Sequence, residues 1–205
     1  MMRTGTFASW RVAASDVLTR ARFLTGREVL LAAIAGVASA VISQFAGRAM
    51  HAAWPIPASG SLVTALPRAV ILLALLARVN RFGVLTTAAV AELAAKAALG
   101  GVGAMPWSLA VPVIGNLAGD VAWAGLRGLP SRSLRLILTG ACLCTARVLA
   151  ALLFWSLFLA TARRSLGPVH GLIVAANAIS GLLGGLIVIW PASRKRQGEK
   201  YDKHQ

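Results

Sequence analysis

Acidic residues are the scarcest chemistry in this chain, six Asp and Glu against 21 Lys and Arg in 205 residues, which leaves a formal net charge of +15. Charged residues of both signs make up only 13%, about half the share of an ordinary soluble protein. A water-facing globule is therefore excluded. Cysteine is nearly absent too, and Cys142 and Cys144 lie two apart in an apolar run, so on a helix they point roughly 200° apart. That excludes a disulfide framework and a shared metal, and the pair reads as small apolar packing. There is no GxSxG, HExxH or phosphate-binding loop, and no pair of carboxylates beside a histidine; His51, His170 and His204 are scattered. No catalytic residue, metal ligand or cofactor is assigned, and the chain is not expected to be an enzyme.

What is present is hydrophobicity, at 58% of residues and a mean hydropathy of +0.74. It is organised into runs long enough to cross a bilayer. The basic residues fall mostly between those runs rather than on one polar face, so they read as topology signals and not as a nucleic-acid surface. The expected fold is all-α, an integral membrane bundle of six transmembrane helices with membrane lipid as its first partner. Residues 1–28 form a basic amphipathic cytoplasmic segment, 29–190 the transmembrane domain and 191–205 a basic cytoplasmic tail. Both termini in the cytoplasm of a multi-pass protein of the cell membrane also put Arg78, Arg81 and Arg127 to Arg135 inside; Arg163 and Arg164 fall outside and break the bias.

Polar residues inside apolar runs mark the functional candidates, because an ionisable group in hydrocarbon requires a partner. Two such runs, joined by a glycine-rich hinge, lie between residues 84 and 125 and contain Glu92, Lys96, Asn116 and Asp120. Glu92 precedes Lys96 by four, the spacing of a helical ion pair, so the two can satisfy each other or a third group. Arg147 lies roughly 20 Å of helix rise beyond Leu134, too deep to reach the headgroups, and calls for Glu92 or Asp120 across the bundle. Arg68 either snorkels to the interface or joins that cluster. In a six-span topology Arg68, Glu92, Lys96, Arg147 and Asn177 converge in the outer half, with Trp54 and Trp107 on outer loops or helix starts above them. Asp120 sits nearer the cytoplasmic end. A small ligand with a ring and an anionic or hydrogen-bonding group suits such a site, stacking on tryptophan while its polar atoms meet the charges. The first span repeats small residues at Ala32, Gly36 and Ala40, a ridge that serves either internal packing or the docking of a partner; Gly181 and Gly185 carry a second close-packing signal.

The small-residue ridge, the Trp-containing outer loop after the first helix and the stretch ELAAKAALGGVGAMPWSLAVPVIGNLAGDVAW together resemble the substrate-binding S components of energy-coupling factor (ECF) vitamin importers, loosely the thiamine and hydroxymethylpyrimidine type. The resemblance implies a membrane subunit that captures a vitamin or its precursor from outside and docks on a transmembrane coupling subunit driven by cytoplasmic ATPases. It also implies docking through Ala32, Gly36 and Ala40, and a site lined by Trp54, Glu92 and Trp107. The chain departs from the family in its Ala-Gly-Ala ridge and in Lys96 and Arg147, which make the pocket more cationic than a positively charged thiamine favours. Two other classes fit the composition, a self-contained ion- or proton-coupled transporter and a non-catalytic scaffold subunit. The first often shows two similar halves with matching broken helices, and no convincing internal repeat is visible. A scaffold has no need of buried charges.

Overall fold

The computed structural model describes residues 24–55, 59–100, 107–158 and 168–201, and no strand occurs among them. The helices are α1 (Gly26–Ile42), α2 (Arg48–Ala53), α3 (Gly60–Val79), α4 (Val84–Ala98), α5 (Trp107–Gly125), α6 (Arg132–Phe158) and α7 (Pro168–Tyr201). A π-helical segment, Ser43–Gly47, joins α1 to α2. Local chemistry accounts for the boundaries. Thr25 and Glu28 form a reciprocal capping box that starts α1 at Gly26, three residues before the apolar run begins, since each side chain satisfies a backbone N–H that the first turn leaves open. Asn80 and Gly83 both adopt positive φ, 54° and 87°, and make the tight turn from α3 to α4. At the other end of the chain α7 continues past Trp190 to Tyr201.

Four helical stretches among the described residues are long and apolar enough to cross a membrane: Gly26–Met50, Gly60–Val79, Arg132–Leu157 and Pro168–Trp190. The described residues thus form an all-helical structure whose long apolar helices are compatible with a multi-pass membrane protein. Six long helices stand where six spans are expected in 29–190, and only these four are long and apolar enough among the described residues. Helix α4 has 15 residues, a rise of about 22 Å against a hydrocarbon core of about 30 Å, and α5 has its buried Asn116 and Asp120 within 19 residues.

The six long helices close into a ring in the order α1, α4, α5, α6, α7, α3, with α3 returning to α1. Contacts along each seam give the directions. Helices α1 and α4 run parallel, since Glu28 reaches Arg81 at 2.9 Å at one end, Gly36 packs on Ala88 and Ala91 in the middle, and Arg48 donates to the Gly100 carbonyl at the other end. Helices α6 and α7 are antiparallel and meet backbone to backbone, because a Cβ on either Gly140 or Gly181 would overlap the other's carbonyl oxygen. In an apolar solvent helices gain nothing from hydrophobic exclusion, so such close approach supplies dispersion contact that larger residues would prevent. Gly185 likewise packs on Ile137, as its spacing from Gly181 predicts. The largest apolar cluster lies between α1, α3, α4 and α6, with Leu72, Leu73, Leu76, Leu85 and Leu143 at its centre.

At the end of the ring where the chain enters and leaves, polar side chains tie neighbouring elements together. The Arg135 guanidinium lies 3.5 Å from the centroid of the buried Trp123 ring, within cation–π range, and its Nε donates to the Trp123 carbonyl at 2.8 Å. Arg132 donates to the Ala77 carbonyl. The opposite end of the ring is where the cavity lies.

Candidate functional site

A cavity of about 510 Å³ opens at the end of the bundle opposite Gly26 and Trp190. Five of the six ring helices contribute to it at that end: the π segment and α2 after α1, the start of α3, the last turn of α4, the first half of α5 and the second half of α6, with Asn177 reaching in from α7. Its size falls in the range of small-molecule sites.

Three cations line it, Arg68, Lys96 and Arg147, with Arg48 at the exposed rim. Behind them Glu92, 0% exposed, is the shared anion. Lys96 Nζ lies 2.8 Å from one Glu92 carboxylate oxygen and Arg147 Nη2 pairs with the other. Both expected pairings are therefore made at once, the one along α4 and the one across to α6. A buried ion pair repays its desolvation only when the remaining polar atoms are satisfied as well. Here they are not, for Arg147 Nε and Nη1 and Arg68 Nε are buried without a partner.

Arg68 does not snorkel. Its Nη1 donates to Ser43 Oγ at 3.0 Å and to Thr64 Oγ1 at 3.3 Å, which turns the guanidinium across the cavity wall between α3 and the π segment. The π segment serves this contact, since Ser43 is its first residue and accepts from Arg68 while its own hydroxyl donates to the Ser39 carbonyl at 2.8 Å. Single π turns inserted in helices recur at functional sites because they re-aim side chains. Asn177, 3% exposed, donates from Nδ2 to Ser61 Oγ at 2.8 Å and fixes the floor between α3 and α7.

Of the expected site residues, Arg68, Lys96, Arg147 and Asn177 line one cavity, and Glu92 stands immediately behind it. Trp54 does not. It lies in a separate apolar depression with Leu62, Val169, Leu172 and Ile173, and its carbonyl accepts from Ser59 Oγ at 2.7 Å. Trp107 begins α5, and its side chain lies outside the described part of the structure. The aromatic group on the cavity wall is Trp155, which sequence reasoning missed. The signal for it is the spacing 147, 151, 155 along α6, which stacks Arg147, Ala151 and Trp155 on one helical face with the ring about 12 Å of rise from the arginine. Ser43, Thr64 and Arg48 also line the cavity and were not among the expected site residues; Ser43 and Arg48 flank the π-helical turn after α1, and Thr64 lies within α3.

The docking assignment for Ala32, Gly36 and Ala40 is corrected by the packing. Ala32 and Ala40 are 0% exposed, and a Cβ on Gly36 would overlap the Ala88 carbonyl oxygen and approach Glu92 N to 2.8 Å. The ridge faces inward and seats α4 against α1, which puts the helix bearing Glu92 and Lys96 in place. The outward face of α1 consists of Leu30, Ile34, Val37, Val41 and Phe45.

Asp120 and Asn116 form a second polar centre at the other end of α4. Asp120 accepts from the backbone N–H of Leu85 at 3.3 Å and of Thr86 at 2.8 Å, and from Thr86 Oγ1 at 2.7 Å. Asn116 Nδ2 donates to the Leu85 carbonyl at 2.7 Å. A carboxylate on the open N–H groups of a first helical turn is a capping arrangement supplied from a neighbouring helix. Asp120 is thus a clamp between α5 and α4 and takes no part in the cavity. No family model matches this chain, and neither a curated protein nor a solved structure matches it significantly.

Proposed function

We propose that the protein is the substrate-binding membrane subunit of an importer of the ECF type. It spans the membrane six times with both termini in the cytoplasm and takes a vitamin or vitamin precursor from the outside into the cavity between α1, α3, α5 and α6. The observation that carries this reading is the cavity itself: about 510 Å³, at the end of the bundle away from Gly26 and Trp190, with three cations and a polar floor converging from separate helices. A scaffold gains nothing from such a site, because unpaired buried nitrogen costs stability unless something binds to it. A coupled transporter would carry its substrate alone, and the ring offers no pair of matching broken helices to alternate between.

In this reading the transmembrane coupling subunit and the cytoplasmic ATPases remain the partners, and their contact lies away from the inward-facing Ala32, Gly36 and Ala40. The short α4 crosses together with α5, whose Asp120 clamp closes the cytoplasmic end while the cavity opens above Lys96. Cysteine accessibility of single substitutions at Ala52 and Arg78 tests the orientation: Ala52 should label from the external side and Arg78 from the cytoplasmic side. Co-purification of a coupling subunit from the native host tests the partner. External labelling of position 78 would overturn the proposed direction of uptake.

A further inference from the structure

The cavity has a charge surplus that no described residue cancels. From residue 29 to 190 the sequence contains two acidic residues, Glu92 and Asp120. Asp120 is committed to the first turn of α4 at the far end of the bundle. Glu92 alone faces Arg68, Lys96 and Arg147, and it is shared between two of them, so one negative charge stands against three positive ones. The surplus is also directional. Arg147, 6% exposed and on the cavity wall, spends one guanidinium nitrogen on Glu92 and leaves Nε and Nη1 without a partner, and Arg68 leaves Nε. Such unpaired guanidinium donors are of the kind that a carboxylate or phosphate oxygen satisfies.

We infer that the ligand is a small water-borne organic anion whose carboxylate or phosphate docks between Arg147, Arg68 and Lys96, with its apolar or ring portion lying towards Trp155. The inference rests on the proposed role as a substrate-binding subunit and names the class of substrate. The anion completes a set of charges that the fold leaves open, so Glu92 acts as a positioning residue: it holds Lys96 and Arg147 at fixed places beside the cavity. Along the wall of α6, Val148, Ala151 and Trp155 offer the apolar surface, and Val111 and Pro112 of α5 line the other side. A cationic ligand of the same size would meet repulsion from three sides without a free carboxylate to receive it.

The test uses the full chain in nanodiscs of purely zwitterionic lipid, with benzoate and phenyl phosphate as anionic probes, benzamide as the neutral isostere and benzylammonium as the cation, all at matched ionic strength. Thermal melting and tryptophan fluorescence are the readouts. Expected are a raised melting temperature and a saturable fluorescence change with the two anions and neither with the other two. Lys96→Met, which leaves Glu92 paired with Arg147, should weaken anion binding by about tenfold or more, in line with the loss of a charge-assisted hydrogen bond; Arg68→Gln should act likewise, and both variants should retain the helical spectrum. Saturable binding of benzamide or benzylammonium in preference to the anions would overturn the inference and leave the receptor role standing. Absence of binding by all four probes, or binding unaffected by Lys96→Met and Arg68→Gln, would overturn both. If only added phosphatidylglycerol stabilises the protein, the cationic wall holds a lipid headgroup and the small-molecule proposal fails.

Discussion

Gly115 of α5 lies directly against the aliphatic stem of Arg147 on α6, so close that a Cβ at position 115 would overlap Arg147 Cγ and approach Cβ and Cδ to 3.0 Å. The absence of a side chain on one helix therefore creates the channel through which an arginine on the next reaches Glu92. Gly115 on α5 and Arg147 on α6 are one structural unit.

Gly115→Ala should consequently act as a binding-site mutation at a distance. The stem of Arg147 must shift, the pair with Glu92 must loosen, and overpacking of this kind costs about 1–3 kcal/mol. Thermal unfolding in detergent should fall accordingly, and anion binding should weaken with it. Gly171→Ala supplies the control, because nothing lies within 4 Å of a Cβ there and alanine favours a helix by about 1 kcal/mol over glycine. Equal behaviour of the two variants would show that Arg147 has room to spare.

Glu92→Gln removes the single counter-charge of the buried Arg147 and the partly buried Arg68 and Lys96. Breaking one partner of a buried pair typically costs about 3–5 kcal/mol, so the variant should be poorly expressed or melt far below the parent. Adding Lys96→Met to it removes one of the stranded cations and should recover part of the loss. Melting curves of the parent, the single variant and the double variant decide the matter, and no recovery in the double variant would mean that Lys96 and Glu92 are not coupled.

Asp120→Ala should separate stability from binding. It deprives Leu85 N, Thr86 N and Thr86 Oγ1 of their acceptor, a loss comparable to a missing N-cap at about 1–2 kcal/mol. The cavity lies at the other end of α4, so ligand affinity in the folded fraction should remain that of the parent. A large change in affinity at unchanged stability would place Asp120 in the binding machinery instead.

Gly36→Leu tests the inward orientation of the α1 ridge. A leucine there collides with the backbone of α4 at Ala88 and Glu92, so folding and ligand binding should fail together. Loss of a partner's co-purification with ligand binding intact would instead return the ridge to an outer docking face.

Much of this arrangement is written in the chain itself. Runs of apolar residues without charge commit the protein to helices in a membrane, since only internally hydrogen-bonded backbone is tolerated there. The i,i+4 spacing of Glu92 and Lys96 and the depth of Arg147 both signal a buried ionic cluster, and Arg68, Lys96, Arg147 and Asn177 do meet in one cavity. What a linear pattern cannot supply is the rotation of each helix about its own axis. Periodicity says that Ala32, Gly36 and Ala40 share a face, but whether that face meets α4 or a partner depends on which neighbour packs there. For the same reason Trp155 rather than Trp54 lines the cavity that Arg147 enters, and Asp120 caps α4 rather than joining Glu92. The residues by themselves determined that charges would be buried and would need partners; only the packing of six helices, set by where glycine lets two backbones approach, decided which partners they found and left Nε and Nη1 of Arg147 without one.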